Sequence, residues 1–202
     1  MNFNHQALTE LPQRYRANFI NSLSGIRQAV LVGTKSANGQ TNLAIFNSLM
    51  HIGANPPLYG LLFRPDTVRR DTLSNILDSG TYTLNFVRSV DYPRAHQTSA
   101  KYEQDVSEFQ AAGFTEEYHD GFAAPFVCDA VVQIGMKFEQ RIDIALNGTI
   151  LIIGSIHYVR LPDQMISEEG LVDLSMGDVL ACSGLYQYYK VSEIGRLPYA
   201  RP

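Results

Sequence analysis

The chain carries two Asn-Gly pairs, Asn38-Gly39 and Asn147-Gly148, each flanked by runs of β-branched and apolar residues. Asn-Gly supplies the positive φ angles of a tight hairpin turn, so each pair predicts two adjacent antiparallel strands. The first hairpin joins QAVLVGTKS to TNLAIF, and the second joins FVCDAVVQIGMKFEQRIDI to TILIIGSIHYVRL. Parallel sheets need long crossover connections instead. Regularly alternating βα units are missing, which argues against a doubly wound nucleotide fold. Two further runs, LYGLLF and TYTLNFV, read as strands. The expectation is one mainly β domain over residues 1–202, a Greek-key barrel with helical additions.

The helical additions show in the periodicity. Leu11, Tyr15, Phe19 and Leu23 recur at i, i+4 over residues 11–24, and Gly25 stands as a stop. RPDTVRRDTLSNILDSG predicts a second helix closed by Gly80, with Leu73, Ile76 and Leu77 as its core face. Asn55-Pro56-Pro57 makes a rigid corner. Residues 88–125 hold His96, His119, several aromatic residues and short helical patterns such as VSEFQAAG. They read as an insertion over the barrel. The tail IGRLPYARP fits no element.

Composition narrows the function classes. A formal net charge of −4 disfavours a general nucleic-acid or anionic-membrane binder. No apolar stretch approaches the ~20 residues of a membrane span. The start, MNFNHQALTELPQRYR, lacks the apolar core of a secretory signal, so the expected location is cytoplasmic. Cys128 and Cys182 form no CxxC and read as buried small hydrophobes. His51, His96, His119 and His157 are scattered without metal-ligand spacing, so no metal site is expected. No Ser-His-Asp set, Walker sequence or GxGxxG stands out.

Two features carry chemistry. With Asn38-Gly39 as a two-residue turn, Ser36 faces Thr41, Lys35 faces Asn42, Thr34 faces Leu43 and Gly33 faces Ala44. A bare Gly33–Ala44 pair inside a ladder leaves space, ringed by Thr34, Lys35, Ser36 and Asn42; it is either a solvated hairpin end or room for a ligand. The apolar run that follows is broken by Asn47-Ser48, which a buried strand tolerates only if they are bonded. The second feature is RRDTLSNI. Arg69 and Arg70 stand at a helix N-terminus, where the dipole favours anions by roughly 0.3–1 kcal/mol. Either they are solvated or paired with Asp66 or Asp71, or they flank an anion, commonly phosphate, with Thr72 adding a hydroxyl.

The order of VGTKSANGQTNLAIFNS, ANPPLYGLLFRP, RRDTLSNI, YTLNFV, VSEFQAAGF, ILIIGSIHYVRL and IGRLPYARP resembles the flavin reductase-like family of FMN-binding split β-barrels. The likeness spans roughly residues 20–202, and the tail and the Asn-Pro-Pro corner resemble its flavoredoxin-like branch. It implies a homodimer with FMN at or near the subunit interface, reduced by NADH or NADPH. By this resemblance Thr34, Lys35 and Ser36 frame the flavin and its phosphate chain. Asn42, Ala44, Asn47 and Ser48 lie on the strand along which the isoalloxazine rests. Arg70, Asp71 and Thr72, preceded by Arg69, match a basic-Asp-Thr phosphate motif. His157 falls where some relatives place a histidine near the nicotinamide, and it is the one catalytic assignment. The implied activity is hydride transfer from the nicotinamide to flavin N5, with a monooxygenase or another acceptor downstream. Alternatives are an FMN-containing electron-transfer flavoprotein or oxidase, and a non-catalytic barrel binding another phosphorylated ligand.

Overall fold

The long hairpin at Asn147-Gly148 anchors the architecture. In the computed structural model, which describes residues 1–103 and 105–201, β9 (Val132–Ile144) and β10 (Thr149–Arg160) pair antiparallel. Gly148 takes φ +73° in their turn, and Asn147 Oδ1 accepts the Thr149 N–H at 3.1 Å. Around this hairpin lie β2 (Val30–Lys35), β3 (Thr41–Phe46), β4 (Leu49–Ala54), β5 (Pro57–Phe63) and β6 (Thr81–Phe86). The order across the sheet is β3-β2-β6-β9-β10-β5-β4, antiparallel throughout.

The two outer strands of that order, β3 and β4, follow each other in the chain. Asn47-Ser48 therefore brings the two edges of the sheet together and curls it into a barrel. Leu62 N–H donates to the Ser48 carbonyl at 3.4 Å, and the Phe46 and Phe63 rings meet at 4.9 Å. Alternate residues fill the inside: Val30 and Val32, Leu61 and Phe63, Tyr82 and Leu84, Ile134 and Met136, Ile150 and Ile152. The single apolar run read across Asn47-Ser48 is thus two strands on different sides of the closure.

The outer face of β2 and β3 is also buried. Leu31 and Leu43 pack with Phe109 and Phe114 from residues 88–125, and Phe109 lies on the short helix α5 (Glu108–Ala111). Pro125 and β8 (Phe126–Val127) close over β6, where Thr83 Oγ1 donates to Pro125 O at 2.7 Å and Val127 N–H donates to Asn85 Oδ1 at 2.9 Å. The helix α3 (Asp71–Ser79) stops at Gly80, φ +69°, as expected from sequence.

A second sheet, which the sequence pattern did not reveal, has the order β1-β11-β12 from Arg27–Gln28, Leu180–Ser183 and Gln187–Lys190. At the N-terminus stand α1 (His5–Glu10) and α2 (Gln13–Leu23), with Gly25 at φ +86° after α2. Cys182 is buried as expected, whereas Cys128 is only half-buried. Among the described residues no helix is long and apolar enough to cross a membrane.

Candidate functional site

The register of the β2–β3 hairpin decides which polar groups meet. Lys35 faces Thr41, Thr34 faces Asn42, Gly33 faces Leu43 and Val32 faces Ala44. The two-residue turn expected from sequence is overturned, and with it the Gly33–Ala44 pair. Only Gly39 takes positive φ (+92°) and Asn38 does not, so the turn is not type I′. Ser36 N–H donates to Gln40 O and Gly39 N–H to Ser36 O, which makes a longer loop and slips the ladder by one residue. Gly33 is glycine for another reason. A Cβ there would stand 2.3 Å from Pro125 O and 2.5 Å from Thr83 Oγ1, so the insertion occupies that space.

With this register Thr34 and Asn42 share a face at the start of α3, and both are buried. Asn42 Nδ2 donates to Thr34 Oγ1 at 3.3 Å and to Thr72 Oγ1 at 3.0 Å. Asn75, one turn along α3 from Thr72, donates through Nδ2 to Thr34 Oγ1 at 3.1 Å. Both threonine hydroxyls thus accept from amides. Neither has an acceptor for its own proton among the described residues; Thr34 is fully enclosed, so Thr72, at 6% exposure, is the hydroxyl donor the cluster presents at its surface. Asn75 escaped the sequence reading, although its i, i+3 spacing from Thr72 puts both on one helix face.

The first turn of α3 adds backbone donors. Arg70 occupies the N-cap, and among the described residues no side chain caps the free N–H groups that follow. Arg69 Nε pairs with Asp71 at 2.5 Å, and Arg70 donates to Pro65 O at 3.3 and 3.4 Å. The Arg69 guanidinium therefore stays beside the uncapped turn, while that of Arg70 is anchored on the loop that leads into it. A hydroxyl donor, free N–H groups and cations at one helix end suit an anion, and the helix field adds to the attraction.

The remaining sequence-derived residues spread along the hairpin and beyond. Ala44 follows Asn42 on the same strand face. Ser36 belongs to the turn, its hydroxyl bonded to Asn38 and to Gln40. Lys35 points to the opposite face from Thr34, where its ammonium lies 5.1 Å over the Tyr118 ring. Burial and the bond to Glu116 push the Tyr118 hydroxyl up to about 12. Asn47 Nδ2 donates to Gly184 O at 2.6 Å and Ser48 Oγ to Leu62 O at 2.7 Å, so both polar side chains are satisfied where the strand crosses the barrel closure. The free edge of β3 carries its own chemistry. Glu108 Oε2 accepts the Leu43 N–H at 3.1 Å, and burial raises the Glu108 carboxyl above its ordinary range. The next outward-facing N–H on that edge belongs to Ile45.

His157 stands apart from this cluster. It is the unpaired residue of a bulge between Ile156 and Tyr158, and it is exposed. Its Nε2 lies 2.9 Å from Ser155 Oγ, which donates to Glu139 Oε1 at 2.5 Å. Glu139 is itself the extra residue of the neighbouring bulge, so a carboxylate, a hydroxyl and an imidazole are chained on the outside of β9–β10.

Comparison with known proteins agrees with the fold. The family described as flavin reductase like domain matches residues 24–178. A solved structure from Shewanella frigidimarina NCIMB 400, described as a flavin reductase with a split barrel domain, is 44% identical, with a TM-score of 0.95 over 99% of this chain and 100% of that one. Nitrilotriacetate monooxygenase component B from Bacillus cereus shares the fold at 18% identity and TM-score 0.85, covering 98% of each chain. Flavoredoxin of Desulfovibrio vulgaris (Miyazaki F) does so at 19% identity and TM-score 0.72, covering 87% of this chain and 92% of its own. The barrel closed at Asn47-Ser48, the polar cluster at α3 and these likenesses lead to one assignment: the chain belongs to the flavin reductase-like family, with the split-barrel fold.

Proposed function

We propose that this chain binds FMN and works, as a homodimer, as an NAD(P)H-dependent flavin reductase. The observation that carries the reading is the cluster of Thr34, Asn42, Thr72 and Asn75 beneath the uncapped first turn of α3. Its donor set fits a phosphate monoester such as the FMN tail. A neutral hydroxyl and backbone N–H groups bond the oxygens, while Arg69 and Arg70 balance the charge.

Bound flavin supplies the redox chemistry, accepting hydride at N5 from the nicotinamide. The protein's share is placement. Asn42 holds the Thr72 hydroxyl with its proton free for the phosphate, and the buried Thr34 fixes both Asn42 and Asn75 from behind. Small Ala44 leaves the strand face low enough for a flat ring to lie along it. The Ile45 N–H, next on the free edge of β3, is a preorganised donor for a ring oxygen. Hydride transfer needs no general base, and the cluster contains none.

The test is an FMN titration followed by flavin fluorescence on the wild type, Arg70→Ala and Thr72→Ala, with NADH and NADPH oxidation assayed beside it. Each substitution should weaken FMN binding at least tenfold and slow turnover at limiting flavin. Unchanged affinity in both variants refutes the phosphate assignment. A wild type that binds FMN but oxidises neither nucleotide refutes the reductase assignment and favours electron transfer from another donor.

A further inference from the structure

The free edge of β3 carries an ionisable group beside the polar cluster. Leu43 follows Asn42, so its outward N–H lies one strand residue, about 3.3 Å, past the residue that holds Thr72. The Glu108 carboxylate, on the first residue of α5, accepts that N–H at 3.1 Å. Both α3 and α5 pack against β3, so this carboxylate and the first turn of α3 flank the same stretch of strand. Two charged groups face Glu108 from the α3 side, Asp71 and Arg69, and they are already paired with each other at 2.5 Å. On the insertion side the neighbouring Ser107 hydroxyl donates to Thr41 Oγ1 at 2.8 Å, and Thr41 donates to Glu116 at 2.6 Å. Glu116 also accepts from Tyr118, whose ring carries the Lys35 ammonium. Among the described residues no cation forms an ion pair with Glu108.

A sheet edge needs only an acceptor. An amide side chain would accept the Leu43 N–H without the cost of desolvating a charge. The chain instead places an ionisable, half-buried acceptor beside the donors that the proposed site gathers for a phosphate. Burial already holds the Glu108 carboxyl above its ordinary range, and a dianion arriving beside Asn42 pushes it further in the same direction. Once protonated, the carboxyl is neutral and still has an oxygen that accepts the Leu43 N–H. The edge bond then survives without setting two anions against each other.

We propose that Glu108 is a specificity residue of the flavin site: it takes a proton from solvent when a phosphate-bearing flavin binds, so the preference for FMN over riboflavin falls as pH rises. The proposal rests on the phosphate assignment made above. Its direction follows from the two states of the side chain. Below the Glu108 titration the residue is neutral, and FMN binds at full strength. Above it the carboxylate repels the nearby dianion, which weakens FMN binding about tenfold. Riboflavin has no phosphate and escapes this repulsion.

The test is calorimetry of FMN and riboflavin binding to ligand-free wild type and Glu108→Gln, from about pH 5 to about pH 8. Ionisation of the FMN phosphate is common to both proteins and cancels in the ratio of their dissociation constants. For FMN that ratio should be close to one at about pH 5 and reach about tenfold, wild type weaker, at about pH 8. For riboflavin it should stay flat. Wild type alone gives a second readout that needs no substitution. In buffers of different ionisation heat at about pH 7, where a phosphate monoester is mostly dianionic, FMN should take up a fraction of a proton and riboflavin none. A flat FMN ratio, or no proton uptake by wild type, overturns the inference and leaves the phosphate site standing. A ratio that changes equally for riboflavin also overturns it, because Glu108 would then act on the ring. A wild type that binds no FMN at any pH overturns the proposed function and this inference together.

Discussion

Thr34 Oγ1 is the acceptor on which two buried amides converge, Asn75 at 3.1 Å and Asn42 at 3.3 Å. Thr34→Val replaces that oxygen by a methyl group at a fully buried position, so shape is kept and the acceptor is lost. Asn42 still has Thr72 at 3.0 Å. Asn75 has no other partner for its amide N–H among the described residues, and an orphaned buried donor costs about 1–3 kcal/mol. Losing one of two bonds at Asn42 adds about 0.5–1.5 kcal/mol, which brings the expected loss to about 1.5–4.5 kcal/mol. For a chain of this size that lowers Tm by about 3–18 °C. The same change loosens Asn42, which holds the Thr72 hydroxyl at the proposed phosphate site. A hydrogen bond to a charged group is worth about 1.5–3 kcal/mol, so misplacing the Thr72 hydroxyl should raise the FMN Kd by up to about 10- to 150-fold. Urea unfolding of the ligand-free protein measures the first effect, and fluorescence titration of the folded variant measures the second. Thr34→Ser keeps the oxygen and should recover most of both. A valine variant within about 0.5 kcal/mol of wild type, the usual range of a neutral surface change, would refute the hub. A serine variant as weak as valine would refute the hydrogen-bond explanation and leave only packing.

Other parts of the molecule give sharper contrasts. Glu108 has its carboxyl pKa raised by burial, so its contribution to stability is present below the ordinary glutamate pKa and is lost as pH rises through the raised value. Glu108→Gln avoids that loss and can still accept the Leu43 N–H, so its Tm relative to wild type should climb from pH 4 to pH 8. A difference that is flat with pH would show that Glu108 ionisation does not matter there. Gly33→Ala forces a methyl against the Pro125 carbonyl and should destabilise by about 1–3 kcal/mol or more in urea unfolding, with FMN affinity of the folded fraction unchanged. Weaker FMN binding at full stability would restore the idea of a ring lying on Gly33. For His157, stationed at the bulge with Ser155 and Glu139, replacement by Gln should raise KM for NAD(P)H and leave FMN affinity alone. Unchanged kinetics would make the histidine a structural member of that chain.

How far the sequence could be read depended on whether the deciding contact was local. The Asn147-Gly148 hairpin, the α3 stop at Gly80 and the alternation Tyr82, Leu84, Phe86 follow from residues next to each other, and all were legible. β11 and β12 were not, because four-residue strands gain their meaning from pairing with each other and with β1, far away in the chain. Asn75 was hidden for a similar reason. A polar residue near the start of a helix usually faces water, and only Thr34, 41 positions earlier, turns it inward.

The first hairpin lies between these cases, and its error had a correctable cause. Asn-Gly fixes that the chain turns, whereas the register also depends on whether Asn38 enters positive φ, and it does not. Side-chain pattern contained the missing information. In the observed register Val30 meets Phe46, Val32 meets Ala44 and Thr34 meets Asn42, so the inward face runs from apolar to polar toward α3. The expected register would have set Thr34 against Leu43, a polar–apolar pair on the buried face that the observed register avoids. A one-residue slip exchanges the two faces of a strand, so a register must be tested against both at once. Here that test converts a glycine gap into a threonine–asparagine pair. The site then moves from the middle of the ladder to the end where α3 begins, beside its free N–H groups and the two arginines.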